Sequence, residues 1–121
     1  MSNADGAALP RVVLAYGTIE IDAAVQRAGV AAAAGRCHIV AGITSIPRRA
    51  PAQYAGWRFS LSRCGQPPVV ISVHRLKRDA EAQLVRVHRA SRERDLSDDG
   101  VFEAFIQELT EFGDRGAGLP S

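Results

Sequence analysis

A chain of 121 residues has room for one domain but not for two ordinary ones. Fifteen Lys and Arg against thirteen Asp and Glu leave a net charge of only +2, and 46% hydrophobic residues exclude wholesale disorder. Under that near-neutral balance lies a skew, because Lys77 is the single lysine and the other fourteen of the fifteen are arginine.

Residues 1–10 hold Asp5 and no base, so they lack the positive start of a secretory leader and read as a disordered N-terminus. Residues 12–16 are β-prone. Thr18 is placed to cap a helix with Glu20 and Asp22 in its first turn, Ile21, Val25 and Ala28 on one face, and Gly29 as its stop. The small residues 30–34, between Gly29 and Gly35, are open between strand and helix, with strand preferred. From residue 37 the period becomes two: Ile39, Ala41 and Ile43 share one face of a strand, and His38, Val40, Gly42 and Thr44 the other. The same alternation sets Trp57, Phe59 and Leu61 against Arg58 and Ser60, and Val69, Ile71 and Val73 against Ser72 and His74. It also sets Val85 and Val87 against Arg86 and His88. Pairing residues whose numbers sum to 132, then to 158, keeps the odd-numbered apolar residues on one face. Ser97 or Asp98 then caps a last helix, with an apolar stripe of Phe102, Phe105, Ile106, Leu109 and Phe112 and a stop at Gly113.

These elements predict one α+β domain over residues 11–113, followed by a disordered tail over 114–121. The expected core is an antiparallel β-meander of four to five strands. One face of it is covered by a short N-terminal helix and a C-terminal amphipathic helix. The order is similar to a shortened helix-grip fold, in which a long C-terminal helix lies across a curved sheet.

No catalytic signature is present: the chain has no nucleophile elbow, no paired zinc-binding histidines and no phosphate-binding glycine loop. No cofactor is called for. His38, His74 and His88 fall on the polar face of the expected sheet, too far out of step to share a metal. Cys37 and Cys64 match no redox or zinc spacing. Their numbers sum to 101 where the faces demand an even sum, so free thiols are expected, as suits a cytoplasmic protein.

One charge pattern stands out. The meander brings residues 47–56 and 76–82 to the same end of the sheet, where Arg48, Arg49, Arg58, Arg75, Lys77 and Arg78 meet only Asp79 and Glu81. Tyr54 and Trp57 lie beside this tip. A coding bias toward arginine explains the skew as a whole. The tip itself suits an acidic protein or a phosphate-bearing ligand. Nucleic acid requires a basic track longer than this one, and no membrane partner is expected because no apolar run approaches a membrane span of about 20 residues. The sequence therefore reads as a non-catalytic binding or protein-interaction module. An alternative is a protein or enzyme binding an apolar ligand in a cavity between the last helix and the sheet, lined by Trp57, Phe59, Phe102, Phe105 and Leu109. The first strand and the strand at 83–89 are possible sheet edges, and edge pairing would give a homodimer.

Overall fold

The computed structural model describes residues 9–46 and 56–117, with side chains as far as Gly113. Arg48, Arg49, Tyr54, the first eight residues and the last four lie outside the described residues. Among those described, the elements run β1 (Arg11–Tyr16), α1 (Thr18–Ala33), β2 (His38–Ile46), β3 (Gly56–Arg63), β4 (Val69–His74), α2 (Lys77–Glu93) and α3 (Asp99–Ala117). The sheet order is β1-β2-β3-β4. β1 pairs parallel with β2, whereas β2–β3 and β3–β4 are antiparallel. The chain is therefore α+β, but its sheet is mixed and not a pure antiparallel meander.

The helices cover both faces of this sheet. Ile39, Ala41 and Ile43 of β2 join Phe59, Leu61, Val87, Phe102, Phe105 and Leu109 in the larger core, under α2 and α3. Val40 joins Ala15, Ile21, Ala24 and Ala28 in a second core under α1. This corrects the one-sided layering of the helix-grip order. The even-numbered positions of β2 are not a solvated face, and the first helix sits opposite the last. Gly42 permits that packing, since a Cβ there would lie 2.7 Å from Ile21 Cδ1.

The expected strand at 83–89 belongs to α2. Ala80, Gln83, Val87, Ala90 and Ser91 are its buried positions, a helical spacing that the short Val85/Val87 alternation masks. No Gly or Pro interrupts residues 77–99, so nothing breaks the helix. In α1 likewise the helix passes through Gly29 and residues 30–33. It stops at Gly35 (φ 83°), with Gly35 N donating to Ala32 O and Arg36 N to Ala31 O in the paired pattern of a glycine-terminated helix. At its start Thr18 makes no cap. Glu20 instead accepts from the Tyr16 N–H. For α3 the expected cap is present, with Val101 N donating to Asp98 Oδ1 at 3.1 Å.

Of the two expected glycine stops, Gly113 is a close-packing position and Gly29 is not. Gly113 lies within α3, where an added Cβ would meet Ser72 Cβ at 2.6 Å and Gln83 Nε2 at 3.0 Å. The backbone of Gly29 is met by Gly65 of the β3–β4 turn, where an added Cβ would come within 2.4 Å of Gly29 Cα.

A β-bulge changes the register of β4. Phe59 pairs with Ser72 and Ser60 with Val70, leaving Ile71 as the extra residue. Beyond the bulge the faces invert relative to the sum-132 register. Ser72 (8% exposed) and His74 (5%) turn into the core, and Val73 (49%) turns out.

Cys37 and Cys64 form a disulfide with a Cα–Cα distance of 4.6 Å. The β2–β3 pairing sum is even, as expected, at 102 for Ile39 and Arg63. The parity argument fails at Cys64 itself, whose left-handed φ of 54° takes it out of the strand alternation and turns its side chain toward Cys37.

Three of the arginines cap the phenylalanines of α3. Arg63 lies over Phe102, Arg94 over Phe105 and Arg86 over Phe112, at 5.4, 5.5 and 3.5 Å from guanidinium carbon to ring centroid. Arg94 also makes a two-pronged pair with Glu108, both contacts at 3.0 Å, and Arg63 binds Asp99 and the Ser97 carbonyl. A planar guanidinium stacks on a ring while its edge donates hydrogen bonds, which an ammonium does not do.

Glycine-to-alanine exchange in two helices is expected to have opposite signs. Nothing lies within 4 Å of a Cβ at Gly29, so Gly29→Ala stabilises by about 0.5–1 kcal/mol through helix propensity. At Gly113 the overlap with Ser72 costs roughly 1–3 kcal/mol and outweighs that gain, so Gly113→Ala destabilises. Urea denaturation midpoints of the two variants check the prediction. Replacing both cysteines by serine removes a link across 27 residues and lowers stability by about 3.5 kcal/mol on chain entropy, measured in the same way.

Candidate functional site

β1 ends, β3 begins and β4 hands over to α2 at the same end of the sheet, as the basic-tip reading requires. Lys77 opens α2 there. Its Nζ lies 4.7 Å from the Tyr16 ring centroid and 5.4 Å from that of Trp57, so the single lysine of the chain is held against two aromatic faces. Glu81, one turn further along α2, does not take the lysine. It accepts a hydrogen bond from Tyr16 Oη at 2.7 Å. That bond, aided by burial and the carboxylate charge, moves the Tyr16 phenol pKa upward.

Of the predicted tip residues, Lys77 and Arg78 come together at the start of α2, beside Trp57. Arg58 reaches the same end on the opposite face, since it alternates with Trp57 along β3 and pairs with the outward-facing Val73. Arg48, Arg49 and Tyr54 lie outside the described residues. Tyr16 was not anticipated, although its place at the end of a strand before the Gly17 turn puts it at this end. Leu76, 47% exposed, adds an apolar side chain beside Lys77.

The residues of the alternative cavity are packed together. Phe59, Phe102, Phe105 and Leu109 belong to the larger core, with Trp57 at its rim.

A polar network inside that core escaped the sequence reading. Ser72 Oγ lies 2.8 Å from His74 Nε2, and Gln83 Nε2 donates to Ser72 Oγ at 3.0 Å and to the Leu109 carbonyl at 3.1 Å. With the Gln83 amide so oriented, the serine hydroxyl accepts from Gln83 and donates to an unprotonated imidazole nitrogen. The bulge at Ile71 brings this serine and histidine inward, and period-two counting alone cannot register it. At this depth, and with the hydroxyl already engaged, the pair ties β4 to α2 and α3. It is a structural link and not a nucleophile presented to solvent.

The three histidines part company. His74 is buried, His88 lies on an exposed position of α2, and His38 opens β2. Among the described residues no three His, Cys, Asp or Glu side chains are grouped to hold a metal ion. No helix among those residues is long and apolar enough to cross a membrane.

Desolvation pushes the His74 pKa below its ordinary value of 6.5, against a smaller upward pull from Asp79. The unfolded chain thus binds this proton more readily than the folded one. Its contribution to stability is complete above about pH 6.5 and is lost as pH falls below that value. The melting temperature is therefore expected to fall from pH 7 to pH 5, and His74→Asn to make that fall shallower. Thermal melts of both proteins at matched ionic strength measure it. No family model, curated protein or solved structure matches the chain, so the reading of function rests on the geometry described above.

Proposed function

We propose that this protein is a non-catalytic interaction module that binds an acidic partner surface through the end of the sheet bearing Lys77 and Arg78. The observation that carries this reading is the Lys77 ammonium held between Tyr16 and Trp57, with its neighbouring carboxylate committed to Tyr16. Aromatic side chains fixed beside cations, with Leu76 exposed next to them, have the composition of a protein-binding hot spot. Arg58 adds charge at the same end of the sheet in this proposal, and Arg48, Arg49 and Tyr54 lie outside the described residues.

A second reading, the homodimer, is favoured by one observation. β4 is an edge strand without a charged side chain, and Val70 and Val73 are 54% and 49% exposed on it. Sedimentation of the 12.9 kDa chain at rising concentration is then expected to show reversible dimerisation, which Val73→Lys abolishes.

The cytoplasmic placement belongs with reduced thiols, whereas a Cys37–Cys64 bridge is the form that an oxidising environment maintains. Counting free thiols in protein taken from its host decides the compartment.

The interaction reading is tested with a poly-glutamate peptide of about 20 residues, a self-repelling extended chain long enough to span the proposed surface. Binding is expected at low salt and is expected to weaken steeply as salt rises. Lys77→Glu with Arg78→Glu weakens it at least tenfold, and Arg78→Glu alone, an exposed change, weakens it in the same direction. Affinity unaltered in both variants refutes the proposal.

A further inference from the structure

At the opposite end of the sheet, the starts of β1 and β2 frame an open cleft of about 530 Å³. Its lining includes Pro10, Arg11, Arg36, Cys37, His38 and Ser97. The size is that of a small-molecule site. We propose that this cleft binds a soluble small molecule carrying a phosphomonoester, held by Arg11, Arg36 and His38.

The argument begins with placement. Arg11 and His38 are paired across the parallel ladder, so their side chains leave neighbouring strands on the same face, with the strands about 4.8 Å apart. Arg36 follows Gly35, whose left-handed backbone ends α1 and starts the chain back toward β2. Arg36 and His38 flank Cys37, and the bridge to Cys64 fixes that segment against the end of β3. Donors thus reach the cleft from a strand, a turn and a second strand, an arrangement suited to the several oxygens of a tetrahedral phosphate. A flat carboxylate is satisfied by one guanidinium.

Charge is the second part. Among the described residues no carboxylate lines the cleft. The acids nearest in sequence to Ser97 are engaged elsewhere: Asp95 accepts from the Ser97 N–H and hydroxyl, Asp98 caps α3, and Asp99 pairs with Arg63. Among the described residues the ion pairs are Arg63–Asp99 and Arg94–Glu108, and neither involves Arg11 or Arg36. His38 senses both of these arginines. Its pKa is lowered first by desolvation and then by the positive charges of Arg11 and Arg36. Three cationic or protonatable groups therefore share one cleft without a counter-charge among the described residues, and a dianion relieves their mutual repulsion and draws a proton onto His38.

The experiment is an NMR pH titration of the imidazole C–H signals with glycerol 3-phosphate, against sodium chloride at equal ionic strength. The expected result is a saturable rise of the His38 midpoint by about half a unit or more, with the exposed His88 unmoved. Arg11→Gln with Arg36→Gln weakens the binding at least tenfold. Arg36→Gln alone, on an exposed turn, weakens it in the same direction and covers the case in which the double variant fails to fold. Three results overturn the proposal: no saturable shift, an equal shift in chloride, or affinity unaltered in the arginine variants. Tighter binding of a phosphoserine peptide than of glycerol 3-phosphate overturns the assignment to a small molecule. Because the cleft lies at the far end of the sheet from Lys77 and Arg78, its failure leaves the interaction reading untouched.

Discussion

The burial of β2 on both faces is the constraint on which the rest of the molecule depends. A strand buried on one side needs a single helical layer, whereas β2 hides consecutive residues from Ile39 to Ile43 and so requires one on each side. α1 serves one face, and the α2–α3 pair serves the other. The parallel β1–β2 pairing belongs to the same arrangement. Two neighbouring parallel strands need a crossover, and α1 is that crossover, lying directly on the strand whose second face it covers. Small residues make the double packing possible, because Ala41 and Gly42 at the centre of β2 let the layers approach.

Arginine has a structural part in this architecture. Each of the three phenylalanines on α3 meets a guanidinium from a different element: Arg63 of β3, Arg86 of α2, and Arg94 just beyond α2. These contacts place the cations along the seam between α3 and its neighbours. In each the guanidinium itself lies over the ring, and in Arg63 and Arg94 it also meets a carboxylate. At these three positions the use of arginine follows packing as well as any coding preference. The one lysine that remains stands where a flexible point charge fits between two rings.

How much of this was legible depended on the length of each periodic signal. The last helix could be read because its stripe spans three turns from Phe102 to Phe112. Its cap at Asp98 was readable from local chemistry. The strands before Pro47 and around Phe59 were readable because alternation ran for several residues. α2 was misread because its core positions, Ala80, Gln83, Ala90 and Ser91, are small or polar and carry little hydrophobic signal, while Val85 and Val87 imitate a strand. That β3 begins and β4 ends at one end of the sheet was foreseeable because it depends only on chain reversals. The cleft at the other end was not, because Arg11, Arg36 and His38 meet only through a parallel pairing. The buried Ser72–His74 link depends on one extra residue in β4. Glycine misled for a related reason: at Gly113 it marks where another element presses close, at Gly29 the helix runs on through it, and local sequence distinguishes neither from a helix end.

The Cys37–Cys64 bridge has a topological consequence. It joins the start of β2 to the residue after β3, so the covalent ring contains the whole central hairpin and the connection between its strands. A single backbone cut anywhere inside that ring opens it without releasing a fragment. Both halves stay tethered beside their ladder partners, and the separation of the two pieces awaits reduction. The hairpin at the centre of the sheet can in this way lose its continuity of chain and keep its neighbours.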